Sequence, residues 1–320
     1  MKTEITYPLS GDWGLFFDAV QGYCRELAES HAQADTGGAR LIWYATLALL
    51  RCVASSPAAA VKALTTRLDG TMAGDDLLSD DRLYDGHADD LSGSDLEPPA
   101  QLQDAERLGS LIAEARRLSG QAGDPKLAAL IVHLRALLQD GFAPVVFCRY
   151  IATAHYVAEH LRLAFPKATI DAVTGEYAPE ERRERVEALT EAEPRILVAT
   201  DCLSEGINLQ HLFTAVVHYD LAWNPTRHEQ REGRVDRFGQ QAPEVRCTML
   251  YGQDNPVDGF VLNVILRKGE AIEKELGVLV PMPEDEARIN QALVKAALMK
   301  RSEARSPQLG FDFGDAEAIL

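Results

Sequence analysis

The 320-residue sequence predicts an α/β fold: a parallel sheet flanked by helices, preceded by a mainly helical region and followed by a helical tail. Three observations carry this reading. Short, continuously apolar runs recur after residue 143, and they alternate with stretches whose apolar residues repeat at helical spacing. Residues 1–120 read as helical, and residues 262–304 look helical again, broken at Pro281 and Pro283. Runs that are apolar on both sides belong in a parallel sheet covered by helices on both faces.

In chain order, Ser55-Ser56-Pro57 predicts a helix start, with proline at the first helical position and an Ala/Leu/Val run behind it. Between Asp75 and Glu97 nine acidic residues stand against one arginine, which reads as a solvated loop. Asp124-Pro125 changes the texture. Lys126 to Gln139 repeats Leu127, Leu130, Ile131, Leu134, Leu137 and Leu138 as a helix that Gly141 ends. Pro144 to Cys148 reads as a strand, the stretch through Ala154, Val157, Leu161 and Phe165 as a helix, and Ala168 to Val173 as a strand. Pro179-Glu180-Glu181 opens another helix, with acids in the first turn where the dipole favours them. Arg195 to Ala199 and Ala215 to Tyr219 read as two more strands. The expected divisions are a helical region over 1–120, the sheet-bearing lobe over 121–260 and the tail over 261–320. Ligands of such sheets bind at the carboxyl ends of the strands, so the loops after Cys148, Val173, Ala199 and Tyr219 are the ones to inspect.

Bulk properties exclude several classes. Five cysteines are scattered with no C-x-x-C pair, which fits reduced thiols better than a disulfide framework or a thiolate zinc site. His211, His218 and His228 lack ligand-like spacing, and no metal site is expected. The longest apolar run, Leu41 to Leu50, falls short of the roughly 20 residues a bilayer needs, and the first ten residues carry no secretory pattern, so a cytoplasmic location is the expectation. A net charge of −17 opposes a strong general grip on nucleic acid. Residues 144–250 are the least acidic segment per residue, with 12 basic against 16 acidic side chains, and their arginines are bunched. Any nucleic-acid contact must therefore be local.

The loop after Tyr219 leads into Gln230-Arg-Glu-Gly-Arg234-Val-Asp-Arg237-Phe-Gly-Gln240. On a helix, Gln230, Arg234 and Arg237 fall at i, i+4 and i+7 and share a face. Arginine offers a permanently charged, planar fork of donors for phosphoryl oxygens. The plain alternative is an exposed helix stitched by Glu229, Glu232 and Asp236. The loop after Ala199 reads Thr200-Asp-Cys-Leu-Ser-Glu205-Gly206-Ile-Asn208-Leu-Gln210. A strand-end hydroxyl followed by a glycine suits backbone amides that approach a phosphate closely.

Taken in order, these segments resemble the motif series in the second RecA-like lobe of superfamily-two helicases, and the Swi/Snf-type ATPases of the bacterial branch in particular. The matching residues are Asp124-Pro-Lys126, Pro144 to Cys148, Thr174-Gly175 with Arg182, Ala199-Thr-Asp201, and Glu205-Gly-Ile-Asn-Leu209. Tyr219 to Pro225 and the Gln230 to Gln240 string complete the series, over residues 124–250. The resemblance implies that Arg234 and Arg237 are catalytic arginine fingers. It also implies that Gln230, Gly233, Glu205, Gly206 and Asn208 line an ATP site, and that Thr200, Thr174, Gly175 and Arg182 lie along a nucleic-acid track. Trp223 stays open between core and nucleic-acid wedge.

The same resemblance implies a first lobe with a G-x-x-x-x-G-K-[ST] phosphate loop and an acidic box for Mg²⁺. The sequence has no Gly-Lys dipeptide. The expectation is therefore half of an ATP-dependent helicase or DNA translocase, inactive alone. ATP with Mg²⁺ would bind only with an N-terminal RecA-like lobe as partner, duplex DNA would be the track, and no membrane would be involved. A non-catalytic adaptor derived from such a lobe is the competing reading, and an RNA helicase the third. The ending Arg237-Phe-Gly-Gln240 favours the DNA translocase.

Overall fold

A computed structural model of the chain describes residues 2–9, 11–31, 36–73, 104–203, 207, 209–222, 225–259 and 262. The order of elements is β1 (Lys2–Tyr7), α1 (Gly11–His31), α2 (Thr36–Ser55), α3 (Pro57–Ala73), α4 (Ala105–Arg117) and α5 (Pro125–Gln139). There follow β2 (Pro144–Phe147), α6 (Ile151–Ala164), β3 (Thr169–Val173), α7 (Pro179–Glu187), β4 (Arg195–Ala199), β5 (Ala215–His218), α8 (Pro225–Glu232) and β6 (Arg246–Gly252).

The six strands form one sheet in the order β1-β6-β5-β2-β4-β3, and every pair is parallel. This is the α/β architecture that the alternation of apolar runs and helices predicts, of the RecA-like kind that the resemblance implies. Two strands depart from the sequence reading. Lys2–Tyr7 lies in the region read as helical, yet it pairs with β6 along its whole length, from Lys2 opposite Cys247 to Tyr7 opposite Gly252. As an edge strand it exposes Lys2, Glu4 and Thr6 and turns Thr3, Ile5 and Tyr7 inward, a half-polar pattern with no apolar run to signal it. The strand Arg246–Gly252 likewise went unassigned. The acidic stretch 75–97 and nearly all of the predicted tail lie outside the described residues.

Side-chain alternation along the central strands sorts two cores onto the two faces. Val146, Cys148, Ile170, Ala172, Ile196, Val198, Ala215 and Val217 join a large cluster with residues of α1 to α6. Val145, Phe147, Leu197, Ala199 and Val216 face the other way, onto Val186, Leu189, Phe213 and Val235. The first cluster runs unbroken from the N-terminal helices into the sheet, so burial of apolar area ties the helical region to the lobe.

A polar network crosses the same boundary. Asp124 caps α5, accepting from the backbone N–H groups of Lys126 and Leu127 at 2.9 and 3.0 Å and from the Tyr156 hydroxyl at 3.1 Å. Lys126, buried on the first turn, donates to Asp220 Oδ1 at 2.8 Å and to the Ala54 carbonyl at 3.1 Å. Asp220 Oδ2 accepts from the Ser55 hydroxyl at 3.0 Å and the Arg149 backbone N–H at 2.8 Å. Thr153 on α6 lies 2.8 and 2.7 Å from the hydroxyls of Ser55 and Ser56, and Ser56 Oγ caps the Pro57 helix by accepting from the Ala59 N–H at 3.1 Å. The Ser55-Ser56-Pro57 helix start is thus also the joint between the helical layer and the loop after β5.

Candidate nucleotide and nucleic-acid site

Register sets the stage. Val173, Phe147 and Ala199 lie side by side at the ends of their strands, and Phe147 faces His218. Thr174, Thr200, Cys148 and Tyr219 therefore follow in one row along the carboxyl edge of β3, β4, β2 and β5. Of the residues singled out in the sequence, Thr174 and Thr200 lie in this row.

Thr174 and Thr200 are both fully buried. The Thr174 hydroxyl donates to Glu176 Oε2 at 3.2 Å, and the Thr200 hydroxyl to Cys202 Sγ at 3.3 Å. The Glu176 carboxylate also meets His155 Nε2 at 2.7 Å, and this contact holds it below the usual carboxylate range. Arg182 is no surface residue paired with glutamates. Its guanidinium donates to three carbonyls: Tyr177 at 2.7 Å, Cys202 at 2.9 Å and Gly175 at 3.3 Å. One side chain thereby pins the loop after β3 to the loop after β4. Glu205, Gly206, Asn208 and Trp223 lie outside the described residues.

The arginine string differs from the sequence reading in one respect. Gln230, Arg234 and Arg237 do not share one helix, because α8 ends at Glu232. Beyond it the chain tightens: the Arg234 N–H donates to the Arg231 carbonyl and the Val235 N–H to the Glu232 carbonyl, both three residues back. Gly233 weakens the helix there, and burial of Val235 in the second core pulls the chain inward. A turn with Gly239 at φ +97° then closes the string. The Gln240 side chain clamps it, donating to the Phe213 and Val235 carbonyls at 3.0 Å each and accepting from the Ala242 N–H at 2.9 Å. Gln230, Gly233 and Arg237 are exposed, and Phe238 projects fully into solvent. The alternative of a helix stitched by its own acids also fails, because Glu232 pairs with Lys2 at 2.9 Å and lies 3.4 Å from His218.

Arg231, which carries no role in the sequence reading, is the most constrained arginine of the string. At 2 % exposure, its Nε and Nη2 donate to Asp201 Oδ1 and Oδ2 at 2.7 and 2.8 Å, and its Nη1 to the Asp220 carbonyl at 3.0 Å. Burial pushes the Asp201 carboxyl up, but the Arg231 charge and hydrogen bonds overcome this and hold it below its ordinary value. Two signals were available: the acid beside the strand-end threonine, and the arginine beside Gln230. Only their proximity across 30 residues reveals the pair.

Arg234, one turn further on, has the opposite character. It is half-buried, and its buried Nη1 finds no acceptor among the described residues. Burial, together with the neighbouring Arg231 charge, lowers its pKa, while the field of Asp201 opposes the shift. A desolvated guanidinium N–H without a partner carries an unmet electrostatic demand of about 1–3 kcal/mol or more. An anion delivered from outside would meet it.

His218 at the end of β5 and His228 on α8 bring two imidazoles together, with ring centroids 4.6 Å apart. Burial lowers both pKa values, and that of His228 falls to about 2. Both rings are therefore neutral in the folded chain, whereas the unfolded chain protonates them near pH 6.5. Their contribution is fully present above pH 6.5 and is lost as the pH falls from there towards the folded values. The unfolding free energy from urea melts is expected to drop by about 1.4 kcal/mol per pH unit for each imidazole below that point, down to its folded pKa. The His228→Gln variant should show a shallower acid slope; an unchanged slope would mean that this ring is protonated in the fold.

Comparison with known proteins gives the following. Residues 125–239 match the family of the helicase conserved C-terminal domain. Over 87 residues the chain is 38% identical to an uncharacterized ATP-dependent helicase, YqhH, of Bacillus subtilis (strain 168), covering 27% of this chain and 15% of that protein. Over 218 residues it is 26% identical to the ATP-dependent rRNA helicase RRP3 of Encephalitozoon cuniculi (strain GB-M1), covering 67% of this chain and 51% of that one. The chain thus spans about a seventh and about half of these relatives' lengths. Among solved structures, the fold is similar to the Sulfolobus solfataricus SWI2/SNF2 ATPase. The core in complex with dsDNA superposes with a TM-score of 0.58 at 14% identity, over 93% of this chain and 50% of that one. The C-terminal domain alone gives 0.56 at 10% identity, over 93% of this chain and 98% of that domain.

Proposed function

We propose, from the match of residues 125–239 to the helicase conserved C-terminal domain family, that the chain is the second half of a nucleic-acid-dependent ATPase motor of the SWI2/SNF2 type. In this reading it supplies arginine fingers and part of the track to an ATP site that an N-terminal RecA-like lobe completes. The single observation that carries the proposal is Arg234: a half-buried guanidinium at the carboxyl edge of a parallel sheet, with a desolvated N–H that has no acceptor among the described residues.

A triphosphate fits the residues present. The chemistry ATP supplies is phosphoryl transfer to water, in which charge spreads over the terminal oxygens. Arg234 would donate to those oxygens from a site already stripped of water, where a fixed donor acts most strongly. Arg237, exposed beside it, would add a second fork. Gln230 and Gly233 would stand at the rim, and the phosphate cradle and Mg²⁺ would belong to the other lobe.

The nucleic acid would run past the loops after β3 and β4, where Thr174, Gly175, Arg182 and Thr200 lie. The Arg182 clamp supports this by holding both loops in one piece. Duplex DNA is the proposed track, by analogy with the dsDNA in the Sulfolobus complex. The rRNA-helicase relative favours RNA as a second reading.

The test is reconstitution. The purified chain alone is expected to show no ATPase. Adding a separately produced N-terminal lobe with a phosphate-cradling loop should give turnover that duplex DNA stimulates more than RNA does. Robust turnover by the chain alone would overturn the half-motor reading, and stimulation by RNA alone would replace the DNA track.

A further inference from the structure

We propose that Arg231 is a positioning residue that keeps Asp201 occupied, so that Arg234 stays available to a phosphoryl group. This inference rests on the half-motor reading for its catalytic consequence, but not for its structural one.

The geometry sets a competition. Two arginines three residues apart at the end of α8 share the field of one buried carboxylate. Asp201 has settled it by a bidentate pairing with Arg231, 2.7 and 2.8 Å long, and the third arm of that guanidinium is held by the Asp220 carbonyl. The Phe147 ring lies under the Arg231 guanidinium, with its centroid 5.4 Å away. Arg231 is thus held from three sides with Asp201 as its carboxylate partner, and Arg234 receives the Asp201 field without its hydrogen bonds. That is the state a finger requires: cationic, positioned and, among the described residues, without an acceptor for its buried Nη1. Were Arg234 to take the carboxylate, the donors meant for a ligand would be consumed inside the protein.

Removing Arg231 should therefore do more than loosen the helix. A buried carboxylate deprived of its partner is strongly destabilised, and Arg234 is a cation already within its field. Arg234 would swing in and be quenched. Removing the carboxylate as well takes away the reason to swing. A purely structural role predicts the opposite ordering, in which each further loss from the pair damages the motor further.

The experiment compares Arg231→Gln, Asp201→Asn and the double variant in the reconstituted two-lobe motor, with kcat and KM for ATP read at saturating nucleic acid. Arg231→Gln is expected to lower kcat by about 10²-fold or more. Asp201→Asn should stay within about tenfold of the parent, and the double variant should exceed Arg231→Gln by about tenfold. A double variant as slow as Arg231→Gln, or an Arg231→Gln motor with full kcat, overturns the proposal. A crystal structure of the Arg231→Gln chain alone supplies an independent reading, with an Arg234 nitrogen expected within 3.5 Å of an Asp201 oxygen. Should that variant fail to fold, Asp201→Asn carries the test by itself, because a pair that is only structural would lose activity there too. If the parental motor shows no ATPase, the half-motor reading fails, while the swap of partners is still decided by the crystal structure.

Discussion

Replacing Arg234 by alanine is expected to lower the nucleic-acid-stimulated ATPase of the two-lobe motor by about 10³-fold or more, with no loss in the stability of the chain. The two halves of this expectation come from one feature. Because the buried Nη1 of Arg234 has no acceptor among the described residues, truncation costs no hydrogen bond at that nitrogen and removes a desolvated charge. Most half-buried arginines behave otherwise: their loss costs an ion pair. Arg231 is that ordinary case, and its neighbour is not. Steady-state kinetics should show the loss in kcat, because the interaction forms with charge that develops during the reaction. Thermal melts of the two purified chains should coincide or favour the variant. A variant that melts well below the parent would mean that Arg234 serves the fold, and undiminished turnover would remove it from the site.

The largest effect on stability is expected at Asp220. The Asp220→Ala variant should lose about 3–5 kcal/mol. The reason is the network rather than one contact: the carboxylate takes the Lys126 ammonium, the Ser55 hydroxyl and the Arg149 N–H together. Lys126 is as buried as its partner, with 4 % and 7 % of the two side chains exposed. Burial alone would lower the lysine's pKa, but the Asp220 charge raises it above its ordinary value, so the ammonium depends on that carboxylate. Without Asp220, the buried cation loses its carboxylate partner and keeps the Ala54 carbonyl at 3.1 Å and the Tyr219 ring face, 4.4 Å from its centroid. Urea unfolding at neutral pH measures the effect. In the Lys126→Met/Asp220→Ala pair the cost should be less than additive, because the stranded charge is gone. Additive losses would mean that the two residues act separately. The loop after β5 leads into α8, so the same variant should also blunt the motor beyond what its lower stability explains.

Much of the architecture could be read from the chain. The runs Pro144 to Cys148 and Arg195 to Ala199 are apolar on both sides, and both are central strands with a core on each face. Asp124-Pro125 marks the helix it caps, and Ser56-Pro57 the next. Lys2–Tyr7 was not legible, since an edge strand buries one face only and its partner lies about 245 residues away. The arginine string was legible as a string and misread as one helix. Spacing cannot register that Val235 is drawn into a core and that Gly239 takes a left-handed turn.

What the sequence settled by itself is the order of local decisions: which segments coil, which extend, and which loops fall at the carboxyl edge of the sheet. These follow from side-chain periodicity and capping, whose range is a few residues. The division of labour among Arg231, Arg234 and Arg237 was settled only in three dimensions. The three side chains are chemically identical, and what separates them is whether Asp201, from the end of another strand, comes within 3 Å.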